Sequence, residues 1–326
     1  MFWTERGAAL LVGAVMGLGV VCSSASAADM APLPVKAPPP SPFVLDVHGF
    51  VDVTFANTRV TGGGLYLYPR GTLSQVAVGL SLDLYKSSSG FINSVSIFGG
   101  VWNEAWSSPP AGVRHWQEMD WWAGVSVGFA QHWKFTAQHL QFAFPGGLPT
   151  AENYVVTLAY DDAHLGWLIP FNPYVTLFYN HRGGSTVVFG KTSDTYRVEI
   201  GIVPTISLQR SAGIPLTLSA PTSVMVGPSD FWNRNDGTTN FCGPGTNAPC
   251  ALSNVGFVTT GLQAKYALET FVPKRLGSWY VKGGVQFYHI INDELLAAQT
   301  VVGTAANFPS AKRDITVVNG GFGFSF

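Results

Sequence analysis

Gly320-Gly321-Phe322-Gly323-Phe324-Ser325-Phe326 closes the chain. In an extended strand successive side chains point to opposite faces, so the three rings share one face and Gly321, Gly323 and Ser325 share the other. A face of rings backed by a face of small residues suits a sheet with lipid outside and a polar interior, because a membrane barrel carries aromatic girdles at its interfaces. The competing reading is a soluble sheet that happens to end in phenylalanine.

Composition decides between them. The 326 residues are 47% hydrophobic and 13% aromatic, only 11% are charged, and the net charge is -1. Mean hydropathy is +0.21. Beyond residue 27, however, no run reaches the roughly eighteen apolar residues that a spanning helix needs. Apolar residues without apolar runs must alternate with polar ones. Only helices and closed barrels satisfy their backbone polar groups in hydrocarbon, so alternation points to a barrel. A soluble sandwich or lipocalin-like barrel is the alternative.

The alternation can be followed along the chain. Leu45, Val47, Val51, Val53 and Phe55 oppose Asp46, His48, Asp52 and Thr54; Met119, Trp121, Val125, Val127 and Phe129 oppose Glu118, Asp120 and Ser126. Strands are expected at 45–55, 74–85, 91–104, 117–130, 133–144, 152–161, 172–180, 194–209, 214–227, 255–269, 277–291 and 314–326. These make twelve. In the fifth the apolar phase switches between Ala137 and Leu140, which suggests a bulge. With both ends periplasmic, the inner turns are 86–90, 130–132, 162–171, 210–213 and 270–276, and the connections at 56–73, 105–116, 145–151, 181–193, 228–254 and 292–313 are the outer loops. Short turns alternating with long loops are what bacterial barrels show. The fold class is therefore all-β, a transmembrane antiparallel up-and-down barrel of about twelve strands. Fourteen remain an alternative if Thr186 to Lys191 and part of 296–303 form further strands.

Residues 1–27 read as a signal peptide, with Arg6 before an apolar run from Ala8 to Val21 and an Ala25-Ser26-Ala27 cleavage site. A lipoprotein reading would acylate Cys22, but bulky Val21 precedes it. Residues 28–43 form a Pro-rich periplasmic tether containing Pro32, Pro34, Pro38, Pro39, Pro40 and Pro42, since such stretches stay extended. The barrel then occupies 44–326. In the mature chain only Cys242 and Cys250 remain, both in one expected outer loop, and in an exported chain they are most simply a disulfide.

The inward phase collects Asp46, His48, Asp52, Asp83, Glu104, Glu118, Asp120, Glu199 and Glu269 against Arg197, Lys265 and Lys282. Such an interior is polar and mildly acidic, and carboxylate rings favour cations. The expected pore-lining set is Asp46, His48, Asp52, Asp83, Glu118, Asp120, Arg197, Glu199, Lys265 and Lys282. The acids of the first strands would form a wall facing Lys265 and Lys282 on the opposite side. The alternative is that these groups pair with each other, as in Arg197 with Glu199 or Lys265 with Glu269, and plug the barrel.

No catalytic constellation accompanies them. A serine hydrolase needs Ser, His and an orienting acid in contact, and none of the seven histidines sits beside a nucleophile motif. His48 with Asp46 and Asp52 could hold a metal or a proton, but a satisfied lumen histidine is the simpler reading. No catalytic residue, metal or cofactor is expected. Near-neutral charge without a basic patch argues against nucleic acid.

The blocks FGGVWNEAW (98–106), EMDWWAGVSVGF (118–129), NPYVTLFYN (172–180) and YRVEIGIVP (196–204), with the signal, tether and Phe terminus, resemble Gram-negative outer-membrane barrels of the TorF-like putative porin kind. The resemblance implies the cell outer membrane, contact with outer-membrane lipid, and Phe322, Phe324 and Phe326 as the signal read by the barrel assembly machinery. It also implies passive diffusion of a small solute whose identity the sequence does not give. Two other functions are compatible with such a barrel: a non-conducting one whose outer loops bind a surface glycan or partner, and a lipid-acting enzyme.

Overall fold

The computed structural model describes residues 46–67, 70–109, 114–145, 150–181, 194–232, 253–296, 299 and 312–326. Residues 1–43, read above as signal peptide and tether, lie outside them, as do Cys242, Cys250 and the 186–191 segment. Twelve strands form one antiparallel ring: β1 (Asp46–Ala56), β4 (Leu73–Lys86), β5 (Ile92–Trp106), β6 (Trp116–Phe129), β7 (Trp133–Ala143), β8 (Ala151–Tyr160), β9 (Tyr174–His181), β10 (Thr195–Ile202), β13 (Thr222–Val226), β14 (Val255–Ala267), β15 (Ser278–Ile290) and β16 (Asp314–Ser325). β1 pairs with β16, which closes the ring. Every strand of a closed ring has both neighbours, so two further barrel strands have no edge to join.

The observed strands match the twelve expected from alternation to within two residues, with two interruptions. β10 continues as β11 (Thr205–Ser207), and β12 (Leu216–Ser219) precedes β13. The register runs through both breaks, since Ile202 pairs with Thr222 and Thr205 with Ser219. Pro204 and Pro221 lack the N–H that a ladder uses. The Ala220 amide nevertheless donates to the Pro204 carbonyl at 2.9 Å. Each interrupted pair is thus one long strand notched by proline.

The outward phase is apolar. Val47, Leu80, Ile97, Val101, Ile200, Leu262, Phe287 and Val318 are all exposed on it. The three terminal rings lie there too: Phe322 and Phe326 are exposed, Phe324 stacks on Trp279 at 4.7 Å, and Phe326 exchanges two 3.0 Å backbone hydrogen bonds with Gly49. The terminal residue therefore fastens the last rung of the closing seam. This inside-out distribution is what lipid contact requires.

The bulge expected in 133–144 is absent. β7 keeps continuous register with β6 and with β8. The apolar phase does switch: Trp133 and Phe135 face outward, whereas Leu140 and Phe142 are buried inside. It switches because the outer half of the interior is itself apolar. Register shifts occur instead at Asp83/Tyr85, Ile92/Ser94, Glu104/Ala105 and Met225/Val226.

Candidate functional site

The barrel interior divides into two levels. At the outer level, inward residues from most of the ring, including Leu73, Trp102, Phe142, Phe178, Phe257 and Ile290, join one buried apolar cluster. Segments of the outer connections fold inward to complete it. The first is a small hairpin of β2 (Arg59–Val60) and β3 (Tyr66–Leu67), which brings in Val60 and Leu65. Its tip is Gly64, at φ +89, where a Cβ would meet the Leu295 side chain at 2.6 Å and Phe257 at 2.8 Å. The second is the helical turn Ser229–Trp232, whose Phe231 and Trp232 are fully buried. The third is the helical stretch 293–296, with Leu295 fully buried.

Two arginines are buried within this seal. Arg59 makes ion pairs with Glu104 and, at 2.7 Å, with Glu118, while Gln75 donates to the other oxygen of Glu104 at 2.9 Å. The guanidinium also lies 5.2 Å from the Trp102 ring centre. Arg197 donates to Asn180 at 3.1 Å and sits 4.2 Å from the Phe178 ring and 5.4 Å from Phe231. Guanidinium suits such places because it is weakly hydrated and stacks on aromatic faces. Glu199 accepts from the Tyr174 hydroxyl at 2.8 Å. Inward polar residues at this depth, among them Asp120, Asn153, Asn180, Glu199 and Gln286, are no more than 1% exposed. An open pore would wet them.

The inner level is polar and partly open. Asp46 and Asp83 approach His48 Nε2 at 3.3 and 3.1 Å, and Lys86 reaches Asp83 at 2.7 Å and Asp46 at 3.6 Å. Asp52 takes the Lys282 ammonium at 2.5 Å on one oxygen, the Tyr280 hydroxyl at 2.6 Å on the other, and the Thr54 hydroxyl at 3.0 Å. Lys265 lies against the Tyr280 ring at 3.8 Å.

The expected pore-lining residues thus all occupy the inward phase, but their grouping differs from the expectation. His48 meets Asp46 and Asp83, not Asp52. Lys265 and Lys282 do not face an acidic wall from across the lumen: closure through β1 and β16 leaves only the glycine-bearing inner face of β16 between β15 and the first strand, and Lys282 bonds Asp52 directly. Glu269 is exposed in the turn after β14 instead of facing inward. Asp46, His48 and Asp83 offer ligand atoms within 4.8 Å of one another, yet Lys86 already supplies the positive charge at that spot.

Sequence reasoning missed the inward-folded segments. The hint was an outer connection, 56–73, unusually rich in Val60, Leu65, Tyr66 and Leu67, and a Phe231-Trp232 pair in another. Apolar residues on a loop that faces water need a core to enter.

No protein-family model and no curated protein matches the chain, so the TorF-like resemblance gains no support. Among solved structures, the NanC porin matches with a TM-score of 0.42 at 9% identity, covering 84% of this chain and 98% of its own. The COG4313 outer membrane channel from Pseudomonas putida F1 matches with 0.43 at 10%, covering 89% and 100%. OprB from Pseudomonas putida matches with 0.37 at 9%, covering 86% and 93%. These are likenesses to barrel architecture and say nothing of solute or selectivity.

Proposed function

We propose that the chain inserts in a Gram-negative outer membrane and acts as a porin-like channel for small solutes, closed in this conformation at its outer mouth by its own loops. The composition of the seal carries the reading. Val60, Leu65, Phe231, Trp232 and Leu295 all lie on connections between barrel strands. They can leave without breaking a rung of the twelve-strand ring. Beneath them the interior is polar and charged, as a water-filled passage needs. The apolar outer belt, the terminal aromatic face and the signal-like residues 1–27 support the outer-membrane location.

The cation preference expected from the acids does not follow from their placement. Asp46, Asp52 and Asp83 each lie within 4 Å of a lysine, and Glu118 is paired with Arg59. A carboxylate paired at that range presents little net field to a passing ion.

The same dry layer favours a second reading, a permanently plugged barrel whose outer loops bind a surface glycan or partner. Planar-bilayer recording on the refolded protein separates the two. On the channel reading the wild type opens rarely, and a variant with residues 59–67 replaced by a short Gly-Ser link conducts steadily. A folded barrel that stays silent without the hairpin supports the plug.

A further inference from the structure

The inner turn between β8 and β9 has the wrong composition for water. From Ala163 to Phe171 it reads Ala-His-Leu-Gly-Trp-Leu-Ile-Pro-Phe, whereas the inner turn at 86–90 reads Lys-Ser-Ser-Ser-Gly. Leu165, Trp167, Leu168, Ile169 and Phe171 are all exposed, Leu168 at 84%. A contiguous apolar patch of this kind marks a surface that something covers.

The turn is nonetheless a built element. Buried Asp162 accepts the amides of Phe171 and Asn172 at 2.9 Å each, and the Asn172 side chain donates to the Val203 carbonyl at 3.1 Å. The Val203 amide donates to the Phe171 carbonyl at 2.7 Å and the Thr205 amide to the Pro170 carbonyl at 3.1 Å, so 170–172 is clipped to 203–205. Asp161 and His164 also bond within the turn: Asp161 accepts the Ala163 amide at 3.0 Å, and His164 donates to the Asp161 carbonyl at 2.9 Å. An irregular segment can reach the edge of hydrocarbon only if its polar groups are held internally in this way.

Strand length says what the cover is. β9 has eight residues, where β5 has 15 and β6 has 14. Its outer end carries His181, 3.3 Å from Asp194. Val175, the last outward residue of β9, lies six residues below His181, which is about 20 Å along the strand and about 15 Å along the membrane normal at a tilt of about 40°. The apolar band of a membrane barrel is about 25 Å tall. On this arc the band is unfinished unless 170–173 and the side chains of the turn complete it. The missing depth is about that to which interfacial apolar side chains enter the acyl boundary, roughly 5–10 Å.

Where the turn leaves β8 and rejoins β9, at Tyr160 and Pro173, a shallow groove of about 570 Å³ opens on the outward face. Trp133 and Leu158 lie at one end and Val224 at the other, with Val175 and Ile200 between them. It crosses β7, β8, β9, β10 and β13, about 19 Å at the spacing of a sheet, against the roughly 15 Å that one leaflet contributes to the hydrocarbon. Among the described residues that line it, none is charged.

We propose that the 162–171 turn and this groove form a docking surface for an inner-leaflet phospholipid, with an acyl chain seated in the groove and Leu165, Trp167 and Leu168 entering the same leaflet beside it. The surface continues the lipid-facing belt, and its uncharged lining recognises hydrocarbon and not a head group. The inference goes beyond the channel reading and shares with it only the membrane location.

Two measurements on the barrel in vesicles of phosphatidylethanolamine and phosphatidylglycerol test it, with a shift of gel mobility on heating to verify that each variant is folded. In a Cys242→Ser, Cys250→Ser background, a nitroxide on Leu168→Cys should collide with oxygen in preference to a water-soluble nickel chelate, as one on Leu177→Cys in the belt does and one on Ser88→Cys in the polar turn does not. A label at 168 that behaves like the label at 88 overturns the proposal. So does one shielded from both reagents, which would mean that a second copy or another protein covers the turn. On exchange into detergent, the wild type should retain phospholipid, the two head groups in the proportion supplied. Ile200→Trp, which fills the groove, should lose most of it, whereas Val281→Trp, at an outward position on β15 away from the groove, should not. No retained lipid, equal loss in both variants, or retention of one head group alone overturns the groove. Lipid retention without conductance would sink the channel reading and leave this surface standing; conductance without retention would do the reverse.

Discussion

Arg59→Met isolates what holds the seal. In the closed conformation Arg59 is the shared partner of Glu104 and Glu118, and all three are buried. Removing one member of a buried ion group, and so stranding the other charges, costs about 3–5 kcal/mol. That cost falls on the closed state alone, because water admitted on opening hydrates both carboxylates. At about 1.4 kcal/mol per tenfold change, the ratio of closed to open should fall by roughly two to three and a half orders of magnitude. Single-channel recording reads this directly as open probability. The triple variant Arg59→Met, Glu104→Gln, Glu118→Gln strands no charge and should close again, since neutral replacements of a whole buried ion group are often tolerated. An Arg59→Met barrel that is folded yet no more open than wild type would refute the reasoning, as would a triple variant as open as the single one.

Two further perturbations probe the seal and the seam. A Cβ at Gly256 would lie 2.2 Å from the Trp232 ring, so Gly256→Val should expel that ring, raise open probability, and make tryptophan emission more solvent-like; unchanged emission would count against the packing. Deleting Phe326 removes both hydrogen bonds to Gly49 together with the terminal ring, and outer-membrane insertion should drop while export continues. Normal insertion would show that the seam closes without it.

The barrel was legible in the sequence because lipid imposes a rule on every strand. An outward side chain must be apolar whatever its neighbours are, so alternation survives reading without a fold, and twelve strands, their phase and the short inner turns follow from it. Phe322, Phe324 and Phe326 were assigned to the lipid face by the same period of two. Pro204 and Pro221 were visible too, although only pairing shows that they notch neighbouring strands at one level.

The interior obeys no such local rule. Alternation says that Asp52 and Lys282 point inward, but which wall each stands on depends on where the ring closes, and β1 meeting β16 turns a supposed field across the lumen into a 2.5 Å ion pair. Likewise the switch of apolar phase in 133–144 is real in the sequence, but its cause lies in the buried cluster that Leu140 and Phe142 share with Val60, Leu65, Trp232 and Leu295, which forms only after the outer connections turn inward. The sequence by itself determined the wall of this protein, because each wall residue answers to the membrane beside it. Tertiary structure alone decided what fills the wall, because those contacts join residues far apart in the chain, and their energy depends on partners that no local pattern names.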